Sequence, residues 1–181
     1  MKLSYMDLSN DFQGFIDEVL SKADIGKIRI LLIEDDYVLK EKLEHSTGYD
    51  IKHSRSYTSA LTYWEKYCGD FDLIILGLNI NPNGMDPIDY SKYFPIHGIT
   101  FLERICCNLS LPPDDTQRKQ EEKEIWMKTI IYSDPDHIKK LDNMKNNFSN
   151  YYSLNTIVHK NDENSPKVLI NKIRCFLGNG N

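Results

Sequence analysis

The sequence predicts an α/β protein, a doubly wound five-stranded parallel sheet covered by helices, and three observations carry that expectation. KIRILLIEDD, FDLIIL and KTIIYS contain short runs of β-branched and leucine residues with almost no polar interruption, as strands buried on both faces require. The segments between them place apolar residues at helical spacing, so strand and helix alternate along the chain. The length of 181 residues, 40% of them hydrophobic, suits one domain that needs no disulfide or metal to fold.

In chain order, Leu8, Phe12, Phe15, Ile16, Val19 and Leu20 form an amphipathic stripe, and Gly26 follows as a terminator, which predicts an N-terminal helix in a 1–26 extension. Its apolar face either packs against the 27–181 body, the favoured reading, or serves a partner. Lys27 to Ile33 reads as the first buried strand, with Glu34, Asp35 and Asp36 at its tip. Val38 to Leu43 reads as a helix, Tyr49 to His53 as a weak strand, and Thr58 to Tyr67 as a helix with Leu61 and Trp64 inward. FDLIIL is the next strand. An irregular stretch, roughly 81–97, precedes a helix over Ile99 to Leu109, and a polar stretch, 110–124, precedes the strand KTIIYS. Both stretches exceed ordinary loop lengths and hint at a binding role or disorder; the mixed charges of Gln117 to Glu124 favour a solvated helical extension. A helix from Pro135 to Phe148, a strand from Leu154 to His159 and a helix from Pro166 to Leu177 complete the pattern.

A net charge of −5 and a pI near 5.5 argue against a nucleic-acid binder, whose affinity normally rests on clustered Lys and Arg. No stretch has the form of a signal peptide or a membrane span, so the expected location is the cytoplasm. Cys68, Cys106, Cys107 and Cys175 lack zinc-ligand spacing and read as reduced core thiols. His45, His53, His97, His137 and His159 show no paired ligand spacing. Tyr57, Tyr63, Trp64 and Tyr67 cluster around one helix, either as core residues or as a stacking platform. No G-x-G-x-x-G, G-x-x-x-x-G-K or G-x-S-x-G occurs, so the usual nucleotide and hydrolase devices are absent.

In a sheet of this type the reactive surface lies at the C-terminal ends of the strands. The residues there are Glu34, Asp35 and Asp36, then Gly77 and Asn79, Ser133, and Lys160. In order and spacing, the segments ILLIEDD, FDLIILGLNINPNGMD, TIIYSD and TIVHK resemble the receiver domain of two-component response regulators, over about Lys27 to Leu177. The resemblance implies a flavodoxin-like (βα)5 fold, here with the extra N-terminal helix. It implies that Glu34 and Asp35 stand at the magnesium-binding acid pair, Asn79 at the residue whose carbonyl helps ligate the metal, Ser133 at the switch hydroxyl and Lys160 at the phosphoryl-pairing lysine.

The position of the phospho-acceptor aspartate is Gly77. Acyl-phosphate formation needs a carboxylate nucleophile, and glycine has none, so phosphorylation at this position is impossible. Losing one oxygen ligand also leaves at most weak magnesium binding by Glu34 and Asp35, and no other cofactor is expected. Asn161 stands where the family usually has proline, and Ile157 where it often has an aromatic. The sequence therefore predicts an atypical receiver that is no enzyme and that signals through phosphorylation-independent protein contact. Its expected partners are a signalling kinase or an output protein, since no output domain follows the last helix, and the resemblance implies a homodimer through the fourth helix, fifth strand and fifth helix. Within that reading Lys160 is expected to pair with Asp35. Asp36 or Asp35 is equally a helix cap, Ser133 a turn or capping residue, and Gly77 a position requiring positive φ or a close ligand approach in place of a decayed acceptor. Two alternatives stay open: an active receiver with a displaced acceptor, Asp86 or Asp89, and a metal-dependent small-molecule-binding or hydrolytic domain built on Glu34, Asp35 and Asp36.

Overall fold

The computed structural model describes residues 27–67, 69–87, 90–91, 94, 96–107, 116–144, 156–161 and 164–178. The expected N-terminal helix, Cys68, Asp89 and the stretch from Met144 to Phe148 expected as helix end lie wholly or mostly outside them. Along the described chain run β1 (Arg29–Ile33), α1 (Tyr37–Thr47), β2 (Asp50–Ser54), α2 (Tyr57–Lys66), β3 (Leu73–Leu76) and α3 (Gly98–Cys107). They are followed by α4 (Thr116–Met127), β4 (Thr129–Ser133), α5 (Pro135–Met144), β5 (Thr156–His159) and α6 (Ser165–Phe176).

The strands form one parallel sheet in the order β2-β1-β3-β4-β5. In this doubly wound order the chain reverses its winding direction between β1 and β3, and the crevice beyond their C-terminal ends is the place where such folds bind ligands. Ile33 is in register with Ser54 on one side and Leu76 on the other, and Ser133 with His159. The residues that follow these strands, Glu34, Gly77 and Lys160, are thus brought to one edge of the sheet.

Alternation along the strands divides the core into two layers. Leu31, Ile33, Ile74, Leu76 and Ile131 face α2, α3, α4 and α5, against Ala60, Phe101, Ile105, Trp126 and Leu141. Ile30, Leu32, Ile75, Tyr132 and Val158 face α1 and α6, against Leu39, Leu43, Leu169 and Ile173. Tyr57 is buried in the first layer, and Tyr63, Trp64 and Tyr67 pack against it, Trp64 stacking on Phe71 with centroids 6.1 Å apart. This aromatic cluster belongs to the core.

The polar stretch before β4 is helical from Thr116, and the helix continues past the expected Glu124 to Met127. It anchors through Ile125 and Trp126, while its solvent face is tied by Arg118–Glu122 at 3.1 Å and Gln120–Glu124 at 2.8 Å. The reading of the cysteines as core residues needs correction: Cys106 is buried, but Cys107 and Cys175 are exposed free thiols. One residue along a helix rotates the side chain by about 100°, which carries Cys107 off the face that buries Cys106.

Candidate functional site

At the edge between β1 and β3 the backbone is continuous with the sheet: Gly77 N–H donates to Ile33 O at 2.8 Å and Glu34 N–H to Ser54 O at 2.9 Å. Lys160 N–H likewise donates to Ser133 O at 2.9 Å, which fixes the root of the lysine beside the end of β4. Within this frame the three adjacent acids have three separate roles. Asp36 caps α1, its Oδ1 accepting from Val38 N–H at 2.9 Å and Leu39 N–H at 3.2 Å. Asp35 is exposed, and its N–H donates to Glu34 Oε1 at 3.0 Å.

Glu34 turns inward. It is only 1% exposed, its Oε1 lies 2.7 Å from Lys160 Nζ, and Nζ sits 5.3 Å from the centre of the Tyr132 ring. The expectation that Lys160 pairs with Asp35 is therefore corrected: its partner is Glu34. Gly77 explains why. A Cβ placed on Gly77 would overlap Glu34 Oε2 and stand 3.1 Å from Ile33 O, so the missing side chain at 77 leaves the room that the Glu34 carboxylate fills. A second glycine, Gly98, lets α3 approach this edge, since its N–H donates to Leu78 O at 2.9 Å and a Cβ on Gly98 would run into the Gly77 carbonyl. Of the explanations left open for Gly77, a positive φ does not hold, and the space beside the residue is taken by the Glu34 side chain.

Burial pushes the Glu34 carboxyl up to about 7, reinforced by the neighbouring Asp35 carboxyl and opposed by Lys160. The Glu34 carboxyl beside it, helped by Lys160, in turn holds the Asp35 carboxyl below the usual aspartate range. Glu34 Oε2 has no hydrogen-bond partner, which is costly for a buried carboxylate. His53 closes the site from β2, its Nε2 2.6 Å from Glu34 O, and burial lowers its basicity.

These donors do not fit the magnesium site that the resemblance implies. A hard dication takes several oxygens, whereas one Glu34 oxygen here holds an ammonium and the other faces Gly77, leaving Asp35 as the one outward carboxylate. Among the described residues no group of three or more His, Cys, Asp or Glu is placed to hold a metal ion. Ser133 is buried at the end of β4, and Asn79 is exposed beyond β3. Asp86 is exposed, its carbonyl accepting from Tyr90 N–H at 2.8 Å, and it does not line the cleft beside Asp35. Asn161 N–H donates to Ser165 Oγ at 3.0 Å, a bond that a proline at 161 could not make.

Asp35 and Asn79 share the wall of an open cleft with Arg55, Ser56, Asn81 and Asn83. Sequence reading passed over the last four. The available signal was the run NINPNG, in which asparagines alternate around a proline and before a glycine.

No known sequence family and no curated protein matches the chain. Solved structures do match. A response regulator receiver domain protein of the CheY-like type from Methanospirillum hungatei JF-1 is 18% identical with a TM-score of 0.51, over 86% of this chain and 97% of that one. A signal receiver domain from Vibrio parahaemolyticus is 19% identical with a TM-score of 0.51, over 85% and 92%. A sensor protein from Polaromonas sp. JS666 is 17% identical with a TM-score of 0.50, over 85% and 98%. The structural neighbours are thus receiver domains, and the shared feature is the flavodoxin-like fold expected from the sequence. Among the described residues no helix is long and apolar enough to cross a membrane.

Proposed function

We propose that this chain is a receiver-like signalling domain that works without phosphorylation, through contact with a protein partner such as a kinase or an output protein. The observation that carries the reading is the substitution of one carboxylate for another. Glu34 fills the space beside Gly77 and holds Lys160, so the cation that the family uses to pair with a phosphoryl group is already paired. With no nucleophile at 77 and no dication site, phosphoryl transfer lacks both the attacking oxygen and the charge that stabilises its transition state.

The test is to incubate the chain with magnesium and a small phosphodonor and measure its mass. No phosphoryl adduct is expected on the natural chain, and none on an Asp86→Asn variant. A stoichiometric adduct on the natural chain that disappears in Asp86→Asn would replace this reading with that of a displaced acceptor.

A further inference from the structure

The open cleft of about 650 Å³ that Asp35 borders is lined also by Arg55, Ser56, Asn79, Asn81 and Asn83. This volume is that of a small-molecule site, and it opens beyond the C-terminal ends of β1, β2 and β3, next to the winding reversal. Its walls are fixed before any ligand arrives. Ser56 and Asn81 form an isolated parallel bridge, Tyr57 N–H donates to Asn81 O at 2.9 Å, and Asn83 N–H donates to Asn81 Oδ1 at 3.0 Å. Thr58 Oγ1 donates to Asn83 O, which ties the 79–83 loop to the first turn of α2.

Arg55 faces this cleft with its charge only partly offset, since it helps hold the Asp35 carboxyl below the usual aspartate range, and the Asn79 and Asn83 side chains face the cleft beside it. A guanidinium offers a planar fork of donors that matches a carboxylate or phosphate. Asp35, on the same wall and ionised, repels a second negative charge but accepts from hydroxyls, and the amides both donate and accept. We propose that the cleft binds a small hydroxylated anion, its carboxylate or phosphate on Arg55 and its hydroxyls on Asp35 and the asparagines. This goes beyond the signalling reading, giving the domain a chemical input where the acceptor chemistry is absent.

The test is a titration of isotope-labelled full chain, without magnesium and at constant ionic strength, with glycerate and with glycerol 3-phosphate. Glycerol and sodium chloride serve as controls. Saturable amide shifts at Arg55, Asn79, Asn81 and Asn83 are expected with at least one anion and neither control, and the anion that saturates distinguishes carboxylate from phosphate. Arg55→Gln, at an exposed position that folding does not need, weakens that binding about tenfold or more. A linear, non-saturating response to both anions overturns the proposal, as does unchanged affinity in Arg55→Gln. Because phosphodonor and metal are left out, neither outcome depends on the mass measurement above.

Discussion

The two ends of the sheet both carry charge, but they manage it in opposite ways. At the N-terminal end Arg29 bonds Asp70 at 2.8 Å and lies 3.5 Å from Asp50, which in turn holds Lys52 at 2.8 Å, while Arg29 N–H donates to Asp72 at 2.7 Å. Arg29 and Asp50 are themselves largely covered, at 18% and 17% exposed, but the charge is shared among several partners and reaches water through Asp70, 84% exposed, whose own link is worth little. At the C-terminal end Glu34 is buried and, among the described residues, pairs with Lys160 alone while Oε2 has no hydrogen-bond partner. A shared network spreads its charge over many links, whereas a single buried pair concentrates its cost on one. Such a pair adds little net stability over an apolar substitute, yet breaking it strands a charge. It lies at the edge of the sheet where folds of this kind bind ligands.

The largest effect should come from Lys160→Met, which removes the cation that offsets the burial of the Glu34 carboxylate. At pH 8 the loss is about 3 kcal/mol in chemical denaturation, shrinking at pH 5 where Glu34 is neutral in the folded state. Next is the pH dependence of the natural chain. A carboxyl raised from 4.5 to about 7 binds more protons folded than unfolded between these values, so its contribution is fully present below 4.5 and is lost as pH rises through 7. The slope in that window is at most ~1.4 kcal/mol per pH unit, and Glu34→Gln should abolish it. Asp35, shifted downward, acts in the opposite sense and only below the ordinary aspartate range, outside that window.

Gly77→Ala comes third, at about 1–3 kcal/mol, because its Cβ must displace Glu34 Oε2. Adding Glu34→Asp, which shortens the acid, should recover part of that loss and make the two changes non-additive in a double-mutant cycle. The smallest effect is Asp70→Ala at the opposite edge, under about 0.5 kcal/mol, since Asp70 is 84% exposed. A loss there as large as that of Lys160→Met would erase the distinction between the two ends.

The fold was legible because every buried strand is an apolar run of a type that only a covered parallel sheet accommodates, and β1, β3 and β4 fall where ILLI, LIIL and TIIY stand. Helix α4 was half legible: its mixed charges suggested helix, but Ile125 and Trp126, which anchor it, lie between the polar run and the strand, where no element was expected. The site was legible as a set of positions and not as a set of contacts. Which of three consecutive acids turns inward depends on which neighbour leaves room for it, and that is a property of Gly77, forty-three residues away from Glu34. The cleft at Arg55 needed the register that brings the end of β2 beside the loop after β3, which no local pattern encodes.

The central claim, that Glu34 takes the acceptor's place and holds Lys160, is tested most directly by following the Glu34 side-chain carboxyl carbon through a pH titration in the natural chain and in Lys160→Met. The carboxyl should titrate at about 7 in the natural chain and higher in the variant, since Lys160 favours its charged form. Titration at the ordinary glutamate value in both proteins would contradict the account, placing Glu34 in solvent and Lys160 elsewhere.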